Sequence, residues 1–192
     1  WVLVSAAVES ASGQSFNDFM RERVFRPAGM IDTRPEEADE SVANRAVSYF
    51  PRYSADPKYG LHATRPVDFS CFAGAMVFVA TAPDLVRFGL AVNNGSLLTP
   101  EMVTRLQAMH SLTAGAETGQ PTGYGLGWDH ERVTVNGQEK GWVGHSGTML
   151  GGMVVTLMIF PEEDVVVAVL SNIAYAETEA LAVQIAEGFL RR

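Results

Sequence analysis

The sequence predicts an α+β fold in which an antiparallel sheet is flanked by helices. Three observations lead to this class. Amphipathic helical patterns occupy much of the first 110 residues, strand-like apolar runs follow from Gly123 onward, and one more helical pattern ends the chain. Helices grouped before and after a run of strands are typical of α+β domains, whereas parallel sheets alternate the two elements.

Residues 1–30 are predicted to form a pair of helices. The first covers Trp1 to Ser12 and stops at Gly13. The second takes Ser15 as its N-cap, with Asp18 three residues later, and is expected to end before Pro27. Nothing before Val2 offers a helix cap, so we expect the natural chain to continue upstream of Trp1. The first helix then has an apolar face that packs on that segment or, in its absence, on a second copy.

Residues 31–66 are predicted to be a long surface excursion, since they are polar, rich in proline and without a sustained period. Such an excursion is suited to shaping a substrate cleft. Residues 67–122 are predicted to be mainly helical. One helix begins with a capping box of Thr81 and Asp84, and the next begins at Thr99-Pro100.

Residues 123–192 are predicted to form an antiparallel meander and a covering helix. A first strand is expected to run from Tyr124 to Val135, and Asn136-Gly137 is a strong two-residue hairpin signal. The remaining predictions are a return strand into His145, strands over Met153 to Phe160 and Val165 to Leu170, and a helix that covers the sheet through Leu181, Ile185 and Phe189.

Composition excludes several classes of function. Apolar residues make up 47% of the 192 residues, and charged residues make up 19%, as in a globular chain. A net charge of -8 disfavours nucleic acid as a partner. Cys71 is the single cysteine, so it is expected to be a buried thiol. The histidines lie at no metal-ligand spacing, and we predict neither a metal site nor a cofactor.

The segment Gly144-His145-Ser146-Gly147-Thr148 is the strongest candidate for a functional site. Glycines on both sides of a His-Ser pair leave main-chain N–H groups, a ring and a hydroxyl open to a ligand. A nucleophile elbow is disfavoured, because an elbow lies between a strand and a helix and precedes its triad histidine, whereas a hairpin and no further histidine follow here. The alternative is that both side chains are merely polar residues at the end of a strand.

Four segments in order resemble the serine β-lactamase-related proteins, a family of class C β-lactamases, DD-peptidases, esterases and LACTB-like proteins. These segments are Ser12-Gly13-Gln14-Ser15-Phe16, Phe25-Arg26-Pro27-Ala28-Gly29-Met30, Tyr124-Gly125-Leu126-Gly127-Trp128 and Gly144-His145-Ser146-Gly147. The resemblance extends over all 192 residues and implies a β-lactamase/transpeptidase-like fold whose N-terminal part is missing. By this resemblance residues 1–192 are the C-terminal portion of a single domain.

The resemblance also implies roles for the candidate site. Family members pair a serine with a lysine one helical turn later, and beside them lies a Tyr-x-Asn motif. Neither is present here, since Ala55 and Gly137 precede the only lysines, Lys58 and Lys140, by three positions. His145-Ser146-Gly147 matches the family's third element, Lys-Thr-Gly, with histidine in place of lysine.

The roles implied for that strand are catalytic and substrate-binding. The Thr148 N–H is one oxyanion donor, and His145 orients the family's tyrosine or contacts a substrate carboxylate with Ser146. Gly147 leaves room for the acyl group. Trp142 either forms a pocket wall or, as we favour, packs in the sheet, and packing is also favoured for Tyr124 and Trp128.

Three hypotheses for the function follow. The chain is part of a serine hydrolase acting on small esters, peptides or β-lactams, with its nucleophile upstream of Trp1. Otherwise it belongs to a non-catalytic, assembly-forming relative, or it is an independent binding module. The hydrolase is favoured, and histidine in place of lysine favours esters or peptides over β-lactams, because histidine carries less positive charge at neutral pH.

Overall fold

The first two helices begin close to the residues predicted from the sequence. The computed structural model describes residues 1–36, 42, 44–53, 55–65, 67–69, 72–75, 78–109, 111–113, 122–149 and 151–190. Helix α1 covers Val2–Ser12 and ends at Gly13, whose φ of 70° places it in the left-handed region. Helix α2 covers Phe16–Met20, and the Ser15 side chain accepts a hydrogen bond from the Asp18 N–H.

The second helix continues further than the sequence predicted. A π-helical turn follows at Arg21–Phe25, and a short α-helical turn, α3, covers Arg26–Ala28. The predicted end before Pro27 is therefore wrong. Pro27 has no N–H to donate, and the π-helical turn directly before it interrupts the α-helical hydrogen-bond pattern at this point. The helix ends instead at Gly29, with a φ of 70°.

The polar stretch after α3 contains short strands that the sequence did not reveal. Strand β1 (Arg34–Pro35) pairs with β4 (Phe78–Val79), and β2 (Tyr49–Pro51) pairs with β3 (Leu61–Ala63). Strands of two or three residues are too short to show an alternating pattern. The excursion therefore has some regular structure of its own.

Two longer helices follow, each capped as predicted. Helix α4 covers Ala82–Asn93 after Thr81, and α5 covers Pro100–Gln107 after Thr99, whose side chain accepts a hydrogen bond from the Met102 N–H. Cys71, which is expected to be a buried thiol, lies outside the described residues.

Six antiparallel strands form the main sheet, in the order β10-β9-β8-β7-β6-β5. The strands are β5 (Ser111–Thr113), β6 (Thr122–Tyr124), β7 (Asp129–Val135), β8 (Gln138–Thr148), β9 (Val154–Phe160) and β10 (Val165–Ser171). The predicted turn at Asn136-Gly137 is confirmed, with positive φ at both residues, 50° and 75°.

The sheet differs from the prediction in two places. Strand β5 lies in the region predicted to be helical. The single strand predicted from Tyr124 to Val135 is two strands, β6 and β7, which pair with each other. Gly127 has a φ of 86°, and the Gly125 N–H donates to the Trp128 carbonyl, so the chain turns back between them.

Helices cover both faces of the sheet. Val92 of α4 packs with Trp128, Val143, Leu157 and Ile159 on one face. On the other face, alanines and a leucine of the C-terminal segment pack on Trp142, Met158 and Phe160. Helix α6, which provides most of that cover, spans Thr178–Glu187.

The face of α6 that meets the sheet was predicted incorrectly. Leu181, Ile185 and Phe189 are 46%, 44% and 70% exposed, whereas Ala182 and Ala186 are fully buried. Small alanine side chains allow the helix to approach the sheet closely, and the larger apolar residues then lie on the outer face. Hydrophobic size alone therefore indicated the wrong face.

The start of α1 is exposed, as expected. Leu3 is 84% exposed, and Trp1, Val2 and Val4 are between 43% and 59% exposed. In the part of the chain that the structure describes, no helix has the length and apolar character needed to cross a bilayer.

Candidate active site at the open edge of strand β8

The end of β8 is paired on one side only. Residues Val143 to Thr148 pair with β9, whereas the pairing with β7 stops where Asp129 lies opposite Gly144. Among the described residues no strand covers the other edge of residues 145–148. The segment singled out from the sequence therefore lies at an open strand edge, which is a suitable place for an extended ligand to bind.

The main-chain N–H of Thr148 points toward this open edge. The Met149 N–H donates to the Met153 carbonyl of the neighbouring strand at 2.8 Å. Hydrogen-bonding direction alternates along an antiparallel strand, so the main-chain groups of Thr148 and Ser146 point away from β9. The predicted oxyanion donor therefore has a direction that would suit that role, although the role itself stays a prediction.

His145 lies beside this edge with polar groups around its ring. Its Nδ1 is 2.7 Å from the Ser146 carbonyl oxygen and 3.9 Å from a carboxylate oxygen of Asp129. Its Nε2 is 3.3 Å from the hydroxyl of Tyr124. The side chain is 53% exposed, so the ring is held in place yet open to a ligand.

Ser146 projects to the opposite face of the sheet. Its hydroxyl lies 3.2 Å from that of Thr156, which lies 2.8 Å from the hydroxyl of Thr178 at the start of α6. His145 and Ser146 are neighbours in sequence, but their side chains alternate across the strand. The structure thus does not bring the two predicted catalytic side chains together.

Gly144 and Gly147 have very different surroundings. A Cβ on Gly144 would lie 1.9 Å from the Leu157 carbonyl oxygen and 3.2 Å from the Trp142 ring. A Cβ on Gly147 would meet nothing within 4 Å among the described atoms. Gly144 is therefore required by packing, whereas the space around Gly147 fits its predicted role of leaving room for an acyl group.

Trp142 does not lie where a pocket wall would be. It is 2% exposed and packs beneath α6 with Met158 and Phe160. The pocket-wall interpretation is corrected, and the packing interpretation agrees with the structure. Its position two residues before Gly144 puts it on the Ser146 face, away from His145.

Tyr124, for which packing in the sheet was favoured, lies in β6, and its hydroxyl also contacts His145. Burial, followed by the nearby Asp129 carboxylate, raises the pKa of the Tyr124 phenol. The phenol therefore keeps its proton at neutral pH and can donate a hydrogen bond. The two-residue turn at Asn136-Gly137 predicts that Asp129 lies opposite Gly144. The turn between β6 and β7, which places Tyr124 next to Asp129, has no comparable sequence signal.

Acidic side chains dominate the surroundings of the strand end. A cleft of about 290 Å³ on the Ser146 side is lined by Ser146, Gly147, Thr148, Val154, Ala176, Glu177, Thr178 and Glu179. Burial, then Glu179 and then Asp129, raise the pKa of Glu131 on the adjacent strand. No lysine or arginine is among the described residues that line this cleft.

A larger cavity of about 780 Å³ lies beside the β8–β9 turn. Residues of the 31–48 segment line it together with Met149, Met153 and Val155, and an ion pair of Glu36 and Arg45 lies at its wall. His145 is not part of this lining, so the larger cavity does not coincide with the candidate site at the strand edge. Among the described residues there is no cluster of three or more metal-binding side chains.

The comparisons with known proteins agree with this fold and with the family resemblance. The Beta-lactamase family model matches residues 1–188. Penicillin-binding protein 4* of Bacillus subtilis (strain 168) is 24% identical over 161 residues, which cover 78% of this chain and 35% of that protein. This chain therefore belongs to the Beta-lactamase family.

Solved structures show the same fold. The octameric penicillin-binding protein homologue from Pyrococcus abyssi has a TM-score of 0.75 at 20% identity, with 96% of this chain and 40% of that chain covered. The D-amino acid amidase from Ochrobactrum anthropi SV3 has a TM-score of 0.72 at 22% identity, with 96% and 54% covered. The chain thus spans about half or less of the length of these relatives.

Proposed function

We propose that this chain forms the sheet-bearing part of a serine hydrolase that cleaves ester, peptide or β-lactam amide bonds through an acyl-enzyme. One observation carries the proposal: the Thr148 N–H points to an open strand edge beside His145. In this proposal the serine nucleophile, its lysine base and the Tyr-x-Asn motif belong to a segment outside the 192 residues. The chain alone is then inactive.

The proposed reaction needs what this edge provides. The serine oxygen gives its proton to the lysine as it attacks the substrate carbonyl carbon, and the carbonyl oxygen becomes an oxyanion. The bond to the leaving group then breaks, that group takes up the proton, and water later hydrolyses the serine ester. A main-chain donor such as the Thr148 N–H typically stabilises the oxyanion by about 3 to 4 kcal/mol.

The local charges favour uncharged acyl substrates. A β-lactam or a peptide C-terminus would bring a carboxylate to this edge, where Asp129, Glu177 and Glu179 lie. Like charges in such a site disfavour binding of an anion. We therefore expect esters and amides that lack a nearby carboxylate to be the better substrates.

Activity-based labelling tests the proposal in the full-length protein that contains this chain. We expect a fluorophosphonate probe to label a serine outside residues 1–192, and His145→Ala to lower kcat/KM for a p-nitrophenyl ester about ten-fold, the upper range for the loss of one neutral hydrogen bond. The matched control is His62→Ala, which removes a histidine that stacks on Phe50 on the small β2–β3 hairpin. That variant should keep the rate of the wild type.

Two results would count against the hydrolase. One is a full-length protein that no probe labels. The other is turnover of nitrocefin or p-nitrophenyl esters by residues 1–192 alone, because the nucleophile would then have to be in this chain.

The non-catalytic, assembly-forming alternative also has an observation in its favour. Trp1, Val2, Leu3 and Val4 together expose an apolar surface at the start of α1. One relative of the same fold is described as octameric. Self-association through this surface would bury side chains that water surrounds in the single chain.

We expect the isolated chain to self-associate through α1 and Leu3→Glu to return it to a monomer in analytical ultracentrifugation. A charge at the most exposed apolar position would have to be desolvated in the contact. Phe189→Glu, on the outer face next to α6, is the control and should leave the association unchanged. A wild-type chain that is monomeric at high concentration, or one that only Phe189→Glu dissociates, would contradict this prediction.

A further inference from the structure

The turn between β6 and β7 holds Tyr124 in one place. The Gly125 N–H donates to the Trp128 carbonyl at 2.7 Å, and the Leu126 N–H donates to the Leu106 carbonyl at 2.8 Å. A Cβ on Gly125 would lie only 2.6 Å from that same Leu106 oxygen. The Tyr-Gly-Leu-Gly-Trp segment is therefore tied to the last turn of α5, and this contact accounts for the absence of a side chain at Gly125.

Strand register places Tyr124 close to the end of β8 that carries His145. Tyr124 lies opposite Asp129, and Asp129 lies opposite Gly144, so the three form one row across β6, β7 and β8. His145 is the next residue along β8 after Gly144. The two rings meet edge to face, with centroids 6.0 Å apart at 80°, and the hydroxyl reaches Nε2 at 3.3 Å.

The partners of the imidazole determine which nitrogen carries its proton. Both groups near Nδ1, the Ser146 carbonyl and the Asp129 carboxylate, can only accept a hydrogen bond. Nδ1 therefore carries the hydrogen. In the neutral ring Nε2 then has a free lone pair, and the Tyr124 hydroxyl donates to it.

We infer that Tyr124 is a positioning residue for His145. Its hydroxyl and the Ser146 carbonyl hold the ring from both sides, so that the neutral imidazole is fixed beside the open edge of β8 as the Nδ1–H tautomer. A catalytic benefit from positioning His145 rests on the proposed function, whereas the tautomer and the position of the ring do not. This tyrosine belongs to the sheet and is distinct from the tyrosine of the Tyr-x-Asn motif.

The tautomer can be read directly in the chain by ¹⁵N NMR of histidine-labelled protein above the pH at which imidazoles titrate. Free histidine favours the Nε2–H form. A predominantly Nδ1–H signal for His145 in the wild type would therefore show the effect of the acceptors near Nδ1 and of the Tyr124 hydroxyl near Nε2. In Tyr124→Phe, Nε2 loses its donor, and we expect the population to move toward Nε2–H. Tyr53→Phe, which removes a hydroxyl from a 68% exposed side chain, should change nothing.

Each outcome decides the inference. A wild-type His145 in the Nε2–H form overturns it, and so does a Tyr124→Phe spectrum with the wild-type ratio. If Tyr124→Phe does not fold, a correlation across the hydrogen bond between the Tyr124 hydroxyl proton and Nε2 in the wild type supports the inference, and a hydroxyl that exchanges freely with water overturns it.

Activity separates this inference from the proposed function. In a full-length protein that forms an acyl-enzyme, we expect Tyr124→Phe to lower kcat about five-fold with little change in KM, as for loss of one neutral hydrogen bond. A protein with the expected NMR result that no acyl probe labels would support the positioning of His145 and overturn the hydrolase.

Discussion

Gly144→Ala is expected to destabilise the chain by at least about 3 kcal/mol, because its new methyl group has no space. The Cβ would lie 1.9 Å from the Leu157 carbonyl oxygen and 3.2 Å from the Trp142 ring. The nearer neighbour is main chain in the centre of the sheet and cannot rotate away. To accept the methyl group, β8 and β9 would have to separate next to the candidate site.

The same strand supplies two controls for this prediction. A Cβ at Gly147 would meet nothing within 4 Å, and one at Gly141 would meet only the tip of Arg132, at 3.8 Å. Gly141→Ala and Gly147→Ala should therefore stay within about 0.5 kcal/mol of the wild type, as for most surface substitutions. Urea unfolding followed by circular dichroism measures all three free energies of unfolding.

The three variants together test the description of the site. If Gly144→Ala unfolds at the wild-type urea concentration, the close approach of β8 and β9 at Leu157 is wrong. If Gly147→Ala is the most destabilised, the strand edge is not open in the chain. The pattern expected from the structure is that the first glycine of Gly-His-Ser-Gly serves packing, and the second leaves space for a ligand.

The sequence predicted those elements that depend on contacts between residues close together in the chain. Asn136-Gly137 sets the β7–β8 register, so it brings Asp129 opposite Gly144 without any knowledge of the rest of the fold. Ser15, Thr81 and Thr99 mark helix starts because a side-chain oxygen can accept from an N–H two or three residues later. These features depend on neighbours in sequence, and the structure confirms them.

Features that depend on distant contacts were not predictable in the same way. The buried face of α6 is set by how closely Ala182 and Ala186 approach the sheet, and a helical wheel ranks Leu181 and Ile185 above them. The contact of Tyr124 with His145 needs the turn at Gly125, whose reason is the Leu106 carbonyl on α5. Neither partner can be read from the local pattern.

The distant partners of Asp84 could not be predicted from the sequence either, and its substitution gives the second large predicted effect on stability. The sequence predicted a capping box, and the Thr81 hydroxyl does accept from the Asp84 N–H, at 3.4 Å. The Asp84 carboxylate, however, is fully buried and bonds elsewhere. One oxygen accepts from the Asp32 N–H at 2.9 Å and from the Thr33 hydroxyl at 2.8 Å, and the other accepts from Arg87 at 2.6 Å.

We expect Asp84→Ala to lower the free energy of unfolding by about 3 kcal/mol. The substitution leaves the buried Thr33 hydroxyl and the partly buried Asp32 N–H without an acceptor, and an unsatisfied buried group costs about 1 to 3 kcal/mol. Arg87→Met removes the partner whose side chain is 44% exposed but leaves the Asp84 carboxylate its hydrogen bonds from Asp32 and Thr33, so we expect it to cost less than Asp84→Ala. Urea unfolding of the two variants provides the comparison.

Hydrogen exchange can then locate the damage. In Asp84→Ala the Asp32 amide should exchange faster by more than the loss of global stability explains, because its acceptor is gone, while amides of β9 follow global unfolding. The segment after α3 lines the larger cavity, so we expect its loosening to affect the wall of that cavity. An Asp32 amide that keeps its protection in this variant would mean that the Asp84 carboxylate does not tie α4 to that segment.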